Sequence, residues 1–161
     1  MHDPGRVDPQ PSLDRSTWAG RLIVLVAVGF GVFMASVIYA ANADISHPGV
    51  TLVRWLPYGD KVGHVGLWGL FTLLVNLALG RRRRLGRIPL GSVLTSAAMT
   101  VEELSQAFLS NRTLDAADYG ANVVGIVAAT VATLAVWRWL ARRATATGRG
   151  RGPEADGAVS G

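Results

Sequence analysis

Apolar residues in this chain gather into long runs separated by short polar stretches, with neither strand alternation nor the single stripe of a soluble surface helix. The runs at 22–41, 62–80 and 119–140 each approach the ~20 residues that cross a bilayer as a helix. A further run at 88–109 is weaker because it holds Glu102 and Glu103; Pro89 fits its first turn, where the missing N–H costs little. The pattern predicts an all-α integral membrane protein, a four-helix transmembrane bundle over residues 21–143. Gly63, Gly66 and Gly69 on the second helix are expected to form a smooth packing side, as are Ala121, Gly125, Ala128 and Ala132 on the fourth. Residues 42–59 contain His47, Pro48, Gly49, Pro57 and Gly59 and read as an irregular loop, with Trp55 and Tyr58 at an interfacial belt. The polar stretch 1–20 and the Gly- and Ala-rich stretch 144–161 are expected as disordered cytoplasmic tails.

Charge supplies the orientation. Arg6, Arg15 and Arg21 precede the first run, Arg81 to Arg84 and Arg87 separate the second from the third, and Arg138, Arg142, Arg143, Arg149 and Arg151 follow the fourth. With four crossings, every basic residue except Arg54, Lys61 and Arg112 falls on one side, which the positive-inside rule makes cytoplasmic. Both termini are then cytoplasmic, and three crossings would split the basic segments between the two faces. Ala41-Asn42-Ala43 also has the look of a cleavage site. The first run is longer than the ~7–15 apolar residues of a secretory signal, so an uncleaved anchor is expected. The net charge of +5 does not point to nucleic acid, because the arginines flank apolar runs instead of forming a patch interleaved with aromatics. The absence of cysteine excludes disulfides, thiolate metal sites and cysteine nucleophiles.

The polar residues inside the runs are the ones that need a reason. Glu103 is about 16 residues from Arg87, ~24 Å along a helix, which sets it in the outer part of a ~30 Å hydrocarbon core. A carboxylate there must be neutral, paired or hydrated, and Lys61, His64 and Arg112 are its charge-compatible candidates. Asp60 and His64 are one turn apart at the outer end of the second helix; Asp118, Asn122 and Gly125 share a face at the outer end of the fourth. Gln106 is one turn from both Glu102 and Glu103, and a short loop carries Arg112 and Asp115. A shared outward-facing polar pocket is the economical inference. Ordinary roles compete: Asp60 and Asp118 as helix caps, Asp115 as a turn residue paired with Arg112, Gln106 and Asn122 as interhelical hydrogen bonds. Lys61, the only lysine in the chain, stands at a helix start where a cation is disfavoured, which suggests a wanted ammonium. A lysine snorkelling to the interface is the plainer alternative.

Asp60-Lys61-x-x-His64, then Glu103-x-x-Gln106, then Arg112-x-x-Asp115-x-x-Asp118-x-x-x-Asn122-x-x-Gly125 resembles the VanZ-like family of bacterial membrane proteins. The likeness covers roughly residues 60–129, and it rests on three blocks in the right order. A second small glycine expected soon after Gly125 is Ala128 or Ala129 here. The resemblance implies a multi-pass plasma-membrane protein whose namesake is associated with teicoplanin resistance, and it supplies no mechanism.

Three functions follow as expectations. The pocket, with Asp60, Gln106, Arg112, Asp115, Asp118 and Asn122 as its binding residues, could hold a cell-wall precursor, a lipid headgroup or a glycopeptide in the cell envelope. A membrane-embedded enzyme on an anionic lipid-linked substrate would use Glu103 or His64 as general base, with Lys61 and Arg112 stabilising negative charge. Alternatively the charge network only fixes helix register, and function resides in partner proteins. Asp60, His64, Glu103 and Asp118 would suit magnesium, calcium or manganese. No spacing such as H-E-x-x-H supports this, so no metal or other cofactor is assigned. His2, His47 and Asn76 are given no role.

Overall fold

A computed structural model of the chain describes residues 17–48, 51, 58–108 and 115–149. Trp55, Arg54, Arg112 and the stretches 1–16 and 150–161, each given a role or a state above, lie outside the described residues. Four helices dominate: α1 (Trp18–Asn42), α2 (Gly59–Leu79), α3 (Leu90–Gln106) and α4 (Ala116–Arg149). Between α2 and α3 a minimal antiparallel hairpin pairs β1 (Arg84–Leu85) with β2 (Ile88–Pro89).

The helices start where local chemistry allows it, not where the apolar runs start. Thr17 caps α1, its hydroxyl accepting from the Gly20 N–H at 3.1 Å, so the helix opens before residue 22. Asp115 does the same for α4, accepting from the Ala117 N–H at 2.8 Å, which brings Ala116 to Asp118 into the first turn. At its other end α4 does not stop at residue 140: it continues through 144–149, the first part of the stretch expected as a flexible tail. Alanine and arginine there are good helix formers, and no proline intervenes before Arg149. α3 is shorter than its apolar run, because residues 88–89 are spent on the hairpin and Pro89 becomes the N-cap.

α1, α2 and α4 are long and apolar enough to cross a membrane. The distribution of polarity agrees, because the molecule is turned inside out. Leu25, Val32, Val62, Leu94, Val101, Val124 and Val131 are exposed, whereas Thr72, Asn76, Ser92, Thr95, Glu103, Gln106, Asn122 and Thr133 are buried. Water would penalise such an exterior; lipid does not.

α2 packs against all three other helices, most extensively against α4. Pairs across each contact give the directions. Gly31 meets Phe71 and Met34 joins Trp68, so α1 is antiparallel to α2. Asn76 bonds to Ser92 and Thr72 to Thr95, so α3 is antiparallel to α2 as well. Lys61 meets Asp118 and Asn76 meets Thr133, so α4 runs parallel to α2.

The close approach of α2 to α4 requires glycine. A Cβ at Gly69 would lie 3.1 Å from the Gly125 carbonyl oxygen, and one at Gly125 would collide with the Val65 carbonyl oxygen. The smooth side expected of the second helix is narrower than three glycines, since Gly66 faces open space. On α4 the expected line of Ala121, Gly125, Ala128 and Ala132 is also displaced. Ala128 and Ala132 are exposed, and the buried line runs Asn122, Gly125, Ile126, Ala129, Thr133, Trp137. Burying the amide and the hydroxyl away from lipid turned the helix toward its polar positions.

Candidate functional site

The starts of α2 and α4 and the end of α3, the helix ends expected on the outer side, meet in one connected polar assembly. Its mouth is an ammonium among three carboxylates. Lys61 Nζ lies 3.3 Å from Asp60 and 3.0 Å from Asp115, and it bonds to Asp118. His64, one turn deeper, turns Nε2 toward Asp118 at 3.6 Å and Asp60 at 3.8 Å. Its Nδ1 donates to Asn122 Oδ1 at 2.9 Å. The Asn122 amide then donates to Glu103 Oε1, and the other Glu103 oxygen, Oε2, is buried with no partner. The assembly therefore runs from water inward through Asp118, His64 and Asn122 to Glu103. Side-chain exposure falls along it from 71% at Asp60 to 15% at Asp118, and Glu103 is fully buried.

Each position follows from the helices that carry it. Asp60, Lys61 and His64 fill the first turns of α2, while Asp118 and Asn122 are one turn apart at the start of the parallel α4. The parallel pairing brings both helix starts to one level, where the helix dipoles favour carboxylates. Asp115 serves twice, capping α4 and pairing with Lys61. The Ala117 N–H and then the Lys61 ammonium hold its carboxyl below the usual range. The caps expected at Asp60 and Asp118 are not what those residues do. α2 has no side-chain cap, and both carboxylates are turned to Lys61 and His64.

Asp60, Lys61, His64, Glu103, Asp115, Asp118 and Asn122 are thus brought together. Gln106 is buried nearby but donates to Glu102 Oε1 at 2.9 Å, so it leaves the assembly and gives Glu102 a partner. Arg112 lies outside the described residues. The direct cation expected beside Glu103 is absent among the described residues: His64 reaches it only through Asn122. Lys61, expected near Glu103, is engaged with the acids at the mouth.

Asp60, His64 and Asp118 each bring one ligand atom within 4.8 Å of the others, the spacing a metal ion would need. The Lys61 ammonium already binds two of these carboxylates, so a cation entering there would have to displace it.

A second polar assembly, unforeseen from the sequence, lies ~18 Å along α2 from the first. Asn76 donates to Ser92 at 2.9 Å and Thr133 at 3.3 Å, Ser92 shares a hydrogen with Thr130 at 2.8 Å, and the Thr72 and Thr95 hydroxyl oxygens lie 2.9 Å apart. All four threonines also donate to the carbonyl four residues earlier. The readable clue was small polar residues at helical spacing inside apolar runs: Thr72 with Asn76, Ser92 with Thr95, Thr130 with Thr133. Between the two assemblies Met34, Trp68, Met99 and Ile126 form an apolar layer.

Comparison with protein-family models, with curated proteins and with solved structures finds no match for this chain.

Proposed function

We propose that this chain is a four-crossing protein of the plasma membrane, VanZ-like in its polar blocks. Both termini would be cytoplasmic, and the acid, imidazole and amide assembly would open to the extracytoplasmic side. There it acts in the cell envelope on a cell-wall precursor, a lipid or a glycopeptide. Register supports the fourth crossing: Ser92 and Glu103 of α3 lie level with the inner and outer polar groups of α2, so α3 travels the same depth. Its 17 residues reach ~25 Å, short for a bilayer but close to its thinner limit. The arginines gathered at one end of the bundle support the orientation.

One observation carries the functional reading. A single series of contacts leads from exposed Asp60 and half-buried Asp118 across ion-pair distances of 3.6–3.8 Å to His64, and then by hydrogen bonds through Asn122 to a fully buried Glu103. Ionisable groups led into a lipid-facing bundle are costly to keep, and lining a substrate or ligand path is their usual return. Three carboxylates surround one ammonium at the mouth, which favours a ligand presenting a cationic or hydrogen-bond-donating group over an anionic one.

A specific feature also favours an enzyme reading. Glu103 Oε2 has no partner, and His64 Nε2 faces two carboxylates while Nδ1 is fixed by Asn122. One of the two groups then takes the proton of the substrate as general base. In this reading Lys61 sets the charge of the mouth, since its ammonium is already paired.

The test compares a host expressing wild type with one expressing Glu103→Gln, for teicoplanin susceptibility and for membrane abundance. The amide keeps the acceptor for Asn122, so abundance should hold while protection is lost. Loss of both together would make the assembly a folding device. No protection from wild type would sink the envelope-protection reading.

A further inference from the structure

The arginines that orient the chain also build something that orientation does not require. Arg81, Arg84 and Arg87 of the α2–α3 connection and Leu134, Trp137 and Arg138 of α4 line a cavity of about 270 Å³. Its geometry is held in place. Arg84 stacks its guanidinium over the buried Trp137 ring, 5.0 Å from the centroid, while its Nε donates to the Arg81 carbonyl at 2.9 Å. One nitrogen and one face are thereby used, and the remaining N–H groups stay free for a fork-shaped contact with an anion.

Among the described residues, none of these four arginines has a carboxylate partner; the ion pairs found there all lie at the opposite end of the bundle. Four guanidinium groups around one cavity, with no acid of the described residues among them, make it a place for an anion. The cavity adjoins the apolar exterior: Leu85, Ile88 and Leu140 are exposed beside it, and Trp139 is half exposed beneath Arg143. That is the level at which acyl chains give way to headgroups. A free phosphate would use the arginines alone, whereas a lipid also uses the Leu134 and Trp137 wall and the apolar surface next to it.

We propose that the cavity between the α2–α3 hairpin and α4 binds the phosphate group of an anionic phospholipid. The binding does not depend on what the acid-lined site at the other end does. Basic pockets at the membrane surface recognise such headgroups by the same combination of charge and apolar wall.

The test is native mass spectrometry of the detergent-purified full chain titrated with phosphatidylglycerol, phosphatidylcholine or inorganic phosphate. Phosphatidylglycerol should bind at concentrations where phosphatidylcholine does not, and inorganic phosphate should fail to displace it. Arg84→Gln with Arg138→Gln should weaken binding at least about tenfold. Arg82→Gln with Arg83→Gln removes the same charge from the same end without lining the cavity, and it should change binding less than about twofold. Equal losses in the two double variants would overturn the proposal in favour of diffuse attraction. So would equal binding of the two lipids, or displacement by inorganic phosphate. Should the glutamine pair not fold, Arg84→Lys with Arg138→Lys keeps the charge and removes the stack and the fork. A several-fold loss there supports the site; unchanged affinity overturns it.

Discussion

The two polar assemblies of this bundle are built from similar numbers of residues and do different physical work. The first, at the starts of α2 and α4, is charged and graded from open to buried, and it ends on a carboxyl oxygen with no partner among the described residues. The second is neutral and almost wholly buried, its hydroxyls set between a neighbouring helix and their own backbone, and it too holds an oxygen with no partner among the described residues, Asn76 Oδ1. Water reaches the first assembly and is kept from the second by the Met34, Trp68, Met99 and Ile126 layer. Lipid offers no hydrophobic drive for helix association, so packing and interhelical hydrogen bonds must provide cohesion. The second assembly meets that need with neutral groups, which leaves the first free to carry charge and to open to water. The apolar layer also interrupts any continuous polar route from one end of the bundle to the other.

This division can be broken by mutation. The largest effect is expected at Gly125→Leu, which forces α2 from α4 between the two assemblies. Overpacking there should cost more than ~3 kcal/mol, read as loss of membrane accumulation and of a cooperative thermal transition in detergent. Next is Asn76→Ala, which removes the amide joining Ser92 and Thr133. A loss of ~1–3 kcal/mol in unfolding free energy with the envelope phenotype retained per folded molecule would sharpen the division. A stable Asn76→Ala protein lacking function would break it.

Lys61→Met should do the reverse, abolishing function with a loss of only ~1–2 kcal/mol in stability, because Asp60 and Asp115 stay open to water and the half-buried Asp118 keeps His64 as a neighbour. A collapse in abundance would show the mouth to be structural. The smallest effect concerns Asp115. Its carboxyl is held low in the folded state, so the stability it contributes is present above about pH 4 and is lost as pH falls through the folded value. Asp115→Asn keeps a cap for Ala117 without the charge, and it should flatten the acid limb of melting temperature against pH; an unchanged limb would remove Asp115 from the pairing.

Helix number, the helical class and the cluster at the outer end were legible because polar residues interrupting apolar runs stand out at helical spacing. Asp60 with His64 and Asp118 with Asn122 are such pairs, and parallel helix starts do bring them together. Side-chain partnership was less legible. Glu103 was expected beside a cation and instead bonds to Asn122, and Gln106 turns to Glu102. One helical face offers both neighbours, and only interhelical distance selects between them. Asn76 was passed over because a lone amide in an apolar run has no visible partner in sequence. Its partners Ser92 and Thr133 come from two other helices. The packing line of α4 was misread for a related reason: small residues were taken as the contact, whereas the need to bury Asn122 and Thr133 decided the rotation.

The ammonium of Lys61 gives the mouth a resident occupant. It is tethered a few bonds from the α2 backbone, so its effective concentration at Asp60, Asp115 and Asp118 is millimolar or higher. A cationic ligand with one point of attachment must outcompete it and will lose at micromolar levels. A ligand that also engages His64 or a deeper group gains a second handhold, and it can afford to evict the lysine. On departure, the tether refills the acids at once, so the mouth resets without waiting for an ion from solution.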